Sequence, residues 1–277
     1  MHTVRYTVAN VLKYVSLLLG AFGALVPIVV VLFASLKTNK EYGDTSPLTL
    51  PDNWMNLVNY SKAFINGKML LGFANTMIIV IISIIGASLL GAMIAYVLNR
   101  FQFRGKKLLI GAFLLATLIP GVTTQVATFR IITALHLVDT RFAPILLYLG
   151  TDIIAVYIFM QFLNSISDSL DESAMLDGAS YFTIFWKIIL PLLAPAVVTV
   201  IIVKGVNIYN DFYTPFLYMP SEHLQVLSTA LFKFKGPYGS QWEVISAGIM
   251  ITIIPILIIF LALQKYIYNG FAQGSVK

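Results

Sequence analysis

The residues whose types could do chemistry gather in two places. One is a polar group at the end of an apolar run, Lys204, Asn207, Tyr209, Asn210 and Asp211, with Asp152 standing alone in an earlier apolar stretch. Spacings of seven from Lys204 to Asp211 and four from Asn207 to Asp211 predict a shared helical face. Amides, a carboxylate and an aromatic ring suit a ligand that offers hydroxyl groups and flat apolar faces. The same face could instead close a gate, and Asp211 could brace that gate without touching a ligand. A charge at the bilayer centre costs at least roughly 2.5–3.5 kcal/mol, so Asp152 and Lys204 are expected to face a packed interior or water, and they could pair. Solvation of both near a membrane surface is the plainer alternative.

The second place is acidic. Asp168, Asp171, Glu172 and Asp177 fall within ten residues of a chain of 277 that has 12 Asp and Glu in all, so this passage must sit in water or against a partner. Asp168 can N-cap a short helix with Asp171 three residues on, where negative charge suits the helix dipole. Gly178 is expected to end that helix in the left-handed conformation cheapest for glycine, and Tyr181, Phe182, Phe185 and Trp186 to begin another. Without any resemblance this is a pair of interfacial amphipathic helices between two membrane spans.

Other chemistries are excluded. No G-x-x-x-x-G-K-[ST] run occurs: Gly67-Lys68 and Gly105-Lys106 lack both the upstream glycine and the following hydroxyl residue, so no P-loop binds ATP here. His2, His136 and His223 form no H-E-x-x-H pair, and cysteine is absent, which removes thiolate nucleophiles, disulfides and sulfur metal sites. No nucleophile converges with a base, so an enzyme within the membrane has no support.

The elements that must position these residues follow from composition. The chain is 58% hydrophobic and 11% charged, against roughly 25% charged in soluble domains. It is read as an all-α polytopic membrane protein, since peptide groups in the bilayer core must be satisfied within helices and no strand reading survives. The net charge of +6 comes from basic residues scattered around apolar segments as lipid-facing anchors, which argues against nucleic acid. Six spans are expected, over about 11–36, 69–98, 108–129, 144–163, 188–207 and 244–263, in a single domain covering 1–277. Pro27 and Pro255 are expected to kink the first and last spans, Pro120-Gly121 to break the third near its outer end, and Gly150-Thr151-Asp152 to interrupt the fourth. The first run is too long for a signal-peptide core. Ser83, Ala87, Gly91 and Ala95 recur every four residues and let another helix approach closely, as ordinary bundle packing or, alternatively, a dimerisation face.

Four basic residues, Arg100, Arg104, Lys106 and Lys107, lie within 99–107 with no acid among them, which makes that loop cytoplasmic. Six spans then place both termini and the acidic loop, about 164–187, on the same side.

Glu172-Ser173-Ala174, Asp177-Gly178-Ala179, Phe185, Leu190-Pro191 and Pro195 resemble the EAA loop of the membrane-spanning permease subunits of bacterial ABC importers. Ser173 stands where the first alanine is usual, and Ser167 where sugar permeases usually have proline. Asn207 to Phe212 resembles the sugar permeases' Trp-Asn-Asp-Phe, with Tyr209 for tryptophan. Ser35 to Glu41, Asn59-Tyr60 with Phe64, and Phe101 to Lys106 also look like carbohydrate permeases, and Asn269 to Lys277 is similar to the tail of the smaller membrane subunit of maltose transporters.

The resemblance covers essentially the whole chain, with a flavour of the multiple-sugar and raffinose-type branch. It implies a type I ABC importer fold in the bacterial inner or plasma membrane, forming half of the pore of an oligosaccharide importer. The implied partners are a second, homologous permease subunit, two ATPase subunits, an external sugar-binding protein and membrane lipid. Asp171, Glu172, Ser173, Ala174, Asp177, Gly178 and Ala179 would dock on the ATPase. This chain would carry no cofactor, ATP and Mg²⁺ belonging to the ATPase, and would be no enzyme. The alternative class is a secondary sugar transporter or channel without an ATPase; it would need its own ion-coupling site and usually an internal repeat, and 1–140 and 141–277 show none.

Overall fold

The computed structural model describes residues 2–150, 152–236 and 239–275, so Val276 and Lys277 of the tail motif and Thr151 of the fourth-span interruption lie outside the described residues. Its longer helices in chain order are α1 (His2–Leu36), α2 (Asn39–Asp44), α3 (Val58–Asn66), α4 (Met69–Arg100), α5 (Lys106–Thr117), α6 (Gly121–Ala134), α7 (Phe142–Leu149), α8 (Ile153–Leu163), α9 (Ser169–Leu176), α10 (Tyr181–Leu192), α11 (Ala194–Asn210), α12 (Tyr213–Tyr218) and α13 (Trp242–Ser275). Among the described residues the exception to an all-helical reading is a two-residue antiparallel pairing, Lys235–Gly236 with Gly239–Ser240, before α13. Three long apolar helices, within α1, α4 and α13, could each cross a membrane.

The third and fifth expected spans are broken helices. α5 and α6 meet at 100°, and α10 and α11 at 71°. The 12 residues of α5 reach about 18 Å, short of a hydrocarbon core of about 30 Å. The break at Pro120 is therefore a sharp turn rather than a feature near one end. In α10 the turn Phe185–Ile189 is a π-helix, with the Leu190 amide donating five residues back to the Phe185 carbonyl. Pro191 follows directly and can donate to no carbonyl, and Pro195 sits in the first turn of α11, where a missing amide costs nothing. The wide turn and the prolines together account for the bend.

The described chain divides into two compact units. In the first, residues up to Leu70 join Ala230–Pro255. The end of α1 is closed by the segment after it: the Asn59 amide donates to the Ser35 and Lys37 carbonyls at 2.9 and 2.7 Å, and Asn56 to that of Leu36 at 2.9 Å. These are terminal carbonyls that the helix cannot satisfy itself. Thr38 and Glu41 form a reciprocal capping box on α2, and buried Lys37 donates to Thr45 Oγ1 and the Ser46 carbonyl.

In the second unit, Leu71–Thr229 with the residues from Ile256, the core lies between α4, α8, α10 and α11. The small-residue stripe of α4 is used here. A Cβ on Gly91 would meet Phe159 of α8 at 3.3 Å, and Ser83, Ala87 and Ala95 are all buried. Close approach between helices of one chain is what the small side chains permit.

Candidate functional site

After α8 the chain enters the acidic loop. Asp168 occupies the cap position of α9 with helical φ and ψ of −63° and −22°, and its side chain makes no cap hydrogen bond, contrary to expectation. Its carboxylate pairs with Arg100 Nη1 at the foot of α4. A charge-assisted bond to a guanidinium is roughly twice as strong as a neutral one, so the cap loses the competition.

Asp171 faces inward. It is 5% exposed, and its Oδ2 accepts from Arg100 Nε at 3.1 Å and from the Tyr96 hydroxyl at 3.2 Å. Of the other candidate docking residues, Glu172, Ser173, Asp177 and Gly178 are exposed, whereas Ala174 and Ala179 are half-buried against the core.

The turn between α9 and α10 closes as the glycine predicts. Gly178 has φ of +80°, its amide donates to the Met175 carbonyl at 3.0 Å, and the Ala179 amide reaches the Ala174 carbonyl at 2.9 Å. That pair of bonds is a Schellman motif, with Ala174 and Ala179 as its apolar contact. Ser180 then caps α10 by accepting from the Thr183 amide at 3.2 Å. The turn directs Leu176 and Phe182 into the open, 89% and 68% exposed. Neither was among the residues singled out for docking. The signal was present, for an apolar residue beside Asp177 and another at the start of a helix have no core to enter there. Exposed apolar side chains rimmed by acids form a surface suited to a protein partner.

The polar group on α11 divides. The buried side of α11 runs through Ala196, Val200, Lys204 and Ile208 at intervals of four, with Tyr209 beside it. Lys204 is held in that stripe by an ion pair with Asp152, Nζ to Oδ2 at 3.4 Å. The other oxygen of Asp152 accepts from the Ile154 and Ala155 amides and so caps α8. Asn207 and Asn210 are exposed, and Tyr209 is 7% exposed. The helix ends at Asn210, and Asp211 lies past it at φ −68° and ψ 115°, so the expected common face of Lys204, Asn207 and Asp211 does not form. Asp211 accepts from the Tyr148 hydroxyl at 2.8 Å and the Thr214 amide at 3.1 Å, tying α7, α11 and α12 together. Lys204 pairs with Asp152 rather than with Asp211.

Long apolar helices, broken helices and a capped loop that presents an apolar tip fit a membrane-embedded subunit. The chain belongs to the family of binding-protein-dependent transport system inner membrane components, whose model matches residues 6–273. It is 32% identical over 272 residues, 97% of this chain and 98% of the relative, to the probable starch degradation products transport system permease protein AmyC of Thermoanaerobacterium thermosulfurigenes. It is 29% identical over 254 residues, 91% of each chain, to the melibiose/raffinose/stachyose import permease protein MelC of Bacillus subtilis. A crystal structure of a bacterial ABC transporter involved in the import of the acidic polysaccharide alginate has the same fold, with a TM-score of 0.81 at 21% identity, covering 94% of this chain and 96% of that one. The protein is therefore a membrane component of a transport system and not an enzyme.

Proposed function

We propose that this subunit forms half of the pore of an ATP-driven oligosaccharide importer and docks through residues 167–187 onto a separate ATPase. Its companions are a second, homologous permease subunit, two ATPase subunits that carry the ATP and Mg²⁺, an external sugar-binding protein and the surrounding lipid. The domain crosses the inner membrane six times, each broken pair counting as one span, with both termini cytoplasmic. The carrying observation is the capped turn at Gly178, which presents Glu172, Leu176 and Phe182 outward. The oligosaccharide rests on the transport systems for which AmyC and MelC are named. Co-purification tests the reading: the tagged chain, expressed with its companions, brings down an ATPase, and Leu176→Asp with Phe182→Asp lowers that yield at least tenfold. An unchanged yield overturns docking by this loop.

Topology is tested in the cysteine-free background that the chain itself provides. Gly105, at φ +90°, and Ser180, which caps α10, are poor places for a cysteine. Cysteines at exposed Arg104 and Ser169 are expected to react only from the cytoplasmic side, and one at Met55 only from outside. Labelling of Ser169→Cys in intact cells by an impermeant reagent would sink the six-span arrangement.

Asp211 acts as a brace. Its two acceptor bonds are spent within the protein, so Asp211→Ala is expected to leave the half-saturation for sugar uptake unchanged within about twofold. It should lower the stability of the purified subunit by about 1 kcal/mol, since the Tyr148 hydroxyl and the Thr214 amide lose a part-buried acceptor. Asp211→Asn keeps an acceptor for Thr214 and stays close to wild type. A rise in half-saturation of tenfold or more in the alanine variant would return Asp211 to the sugar path.

A further inference from the structure

Arg100 is the last residue of α4, and its side chain is 7% exposed. A guanidinium has five N–H donors in a fixed fork. Here Nε donates to Asp171 at 3.1 Å, Nη1 to Asp168 and to Asn99 Oδ1, and Nη2 to the Ile166 carbonyl at 2.9 Å. One side chain thus grips three residues across 166–171, on both sides of the start of α9. The other oxygen of Asp171 is buried with no hydrogen-bond partner, so the compensation of that carboxylate depends on Arg100 and Tyr96.

The second arm of the loop is held at the same place by rings. Tyr96 lies 5.6 Å from Phe185, Phe101 lies 6.0 Å from Tyr96, and Tyr181 lies 4.9 Å from Phe101. Asn99 adds a bond to Asn164 at 2.7 Å. The end of α4 therefore holds α9 through charge and α10 through aromatic contact, although α4 is not joined to either by a short stretch of chain. Covalently, the loop continues only α8 and α10.

We propose that Arg100 is a positioning residue for transport, the clamp through which displacement of the docked loop is delivered to α4 as well as to α8 and α10. The proposal rests on the docking reading given above. Arginine is required rather than a bare positive charge, because a lysine ammonium cannot reach a carboxylate on α9, a second one before it and a carbonyl in one plane. The docking face lies on the other side of α9, at Glu172 and Leu176, so release of the clamp leaves the partner's contact surface in place.

The experiment uses the complete complex in lipid with its loaded binding protein, comparing wild type with Arg100→Gln, Asp171→Asn and Arg100→Lys. The readouts are co-purifying ATPase, basal hydrolysis, stimulated hydrolysis and sugar carried per ATP. In Arg100→Gln and Asp171→Asn the ATPase yield and basal hydrolysis are expected to stay within twofold. Stimulation and sugar per ATP are expected to fall at least tenfold, with Arg100→Lys between. A structural role alone would lower all rates in proportion to the amount of complex and leave sugar per ATP unchanged. That outcome, loss of the complex in both Arg100→Gln and Asp171→Asn, or wild-type stimulation in both, overturns the clamp. Failure of the wild-type chain itself to capture an ATPase would be recognisable as failure of the docking reading, and would overturn the clamp with it.

Discussion

Gly178→Val is expected to lower stimulated ATP hydrolysis and uptake together while the subunit still inserts. Gly178 sits at φ +80°, and a Cβ placed on it would meet nothing within 4 Å. The cost is therefore in the backbone and not in a clash. A β-branched residue held in the left-handed region costs about 1–3 kcal/mol. The chain can escape that strain only by abandoning the two bonds from Gly178 and Ala179 back to Met175 and Ala174. That escape sends α10 away at another angle and moves Phe182 relative to Leu176. At about 1.4 kcal/mol per tenfold, the correctly posed loop falls by roughly five- to a hundredfold. Gly178→Asn is the control, since asparagine tolerates this region better than other residues, and it should keep most of the coupling. Normal stimulation and uptake in the valine variant would show that the turn does not set the docking geometry.

Asp152→Ala is expected to destabilise the protein more than Lys204→Met, even though each removes half of the same ion pair. Lys204 is buried, its side chain 9% exposed, and loses its counter-charge when Asp152 is replaced. Stripping the partner from a buried charge costs about 3–5 kcal/mol. Loss of the cap on the Ile154 and Ala155 amides adds about 1 kcal/mol. The Asp152 side chain is 29% exposed and keeps those two amides when Lys204 becomes methionine, so that loss stays well below the first. Combining Asp152→Asn with Lys204→Met should be less damaging than Asp152→Ala alone, because no buried charge is left unpaired. Thermal unfolding of the purified subunit in detergent orders the three variants, and equal losses in the two single variants would contradict the asymmetry.

The helical class, the apolar runs and the left-handed glycine of the acidic loop were legible in the residues. Each depends on a property of neighbouring positions: an apolar run with no water to satisfy its peptides must be helical, and only glycine turns at φ +80° without strain. The pairing of Asp152 with Lys204 was one of two readings the residues left open, because a charge among apolar residues needs either a counter-charge or water, and the structure supplies the counter-charge.

What tertiary structure decided was which partner each polar group takes. Asp168 looks like a helix cap and Asp171 like a docking residue until Arg100, some seventy positions earlier in the chain, is brought beside both. Lys204, Asn207 and Asp211 share a face only if the helix continues, and it stops at Asn210, with Asp211 turned to Tyr148 from another helix. The 100° turn after α5 and the π-turn before Pro191 likewise exceed what a proline implies by itself. Periodicity and local propensity act over a few residues and so are written along the chain. A buried hydrogen bond or ion pair is won by whichever donor the packing of distant helices delivers, and spacing carries no record of that competition.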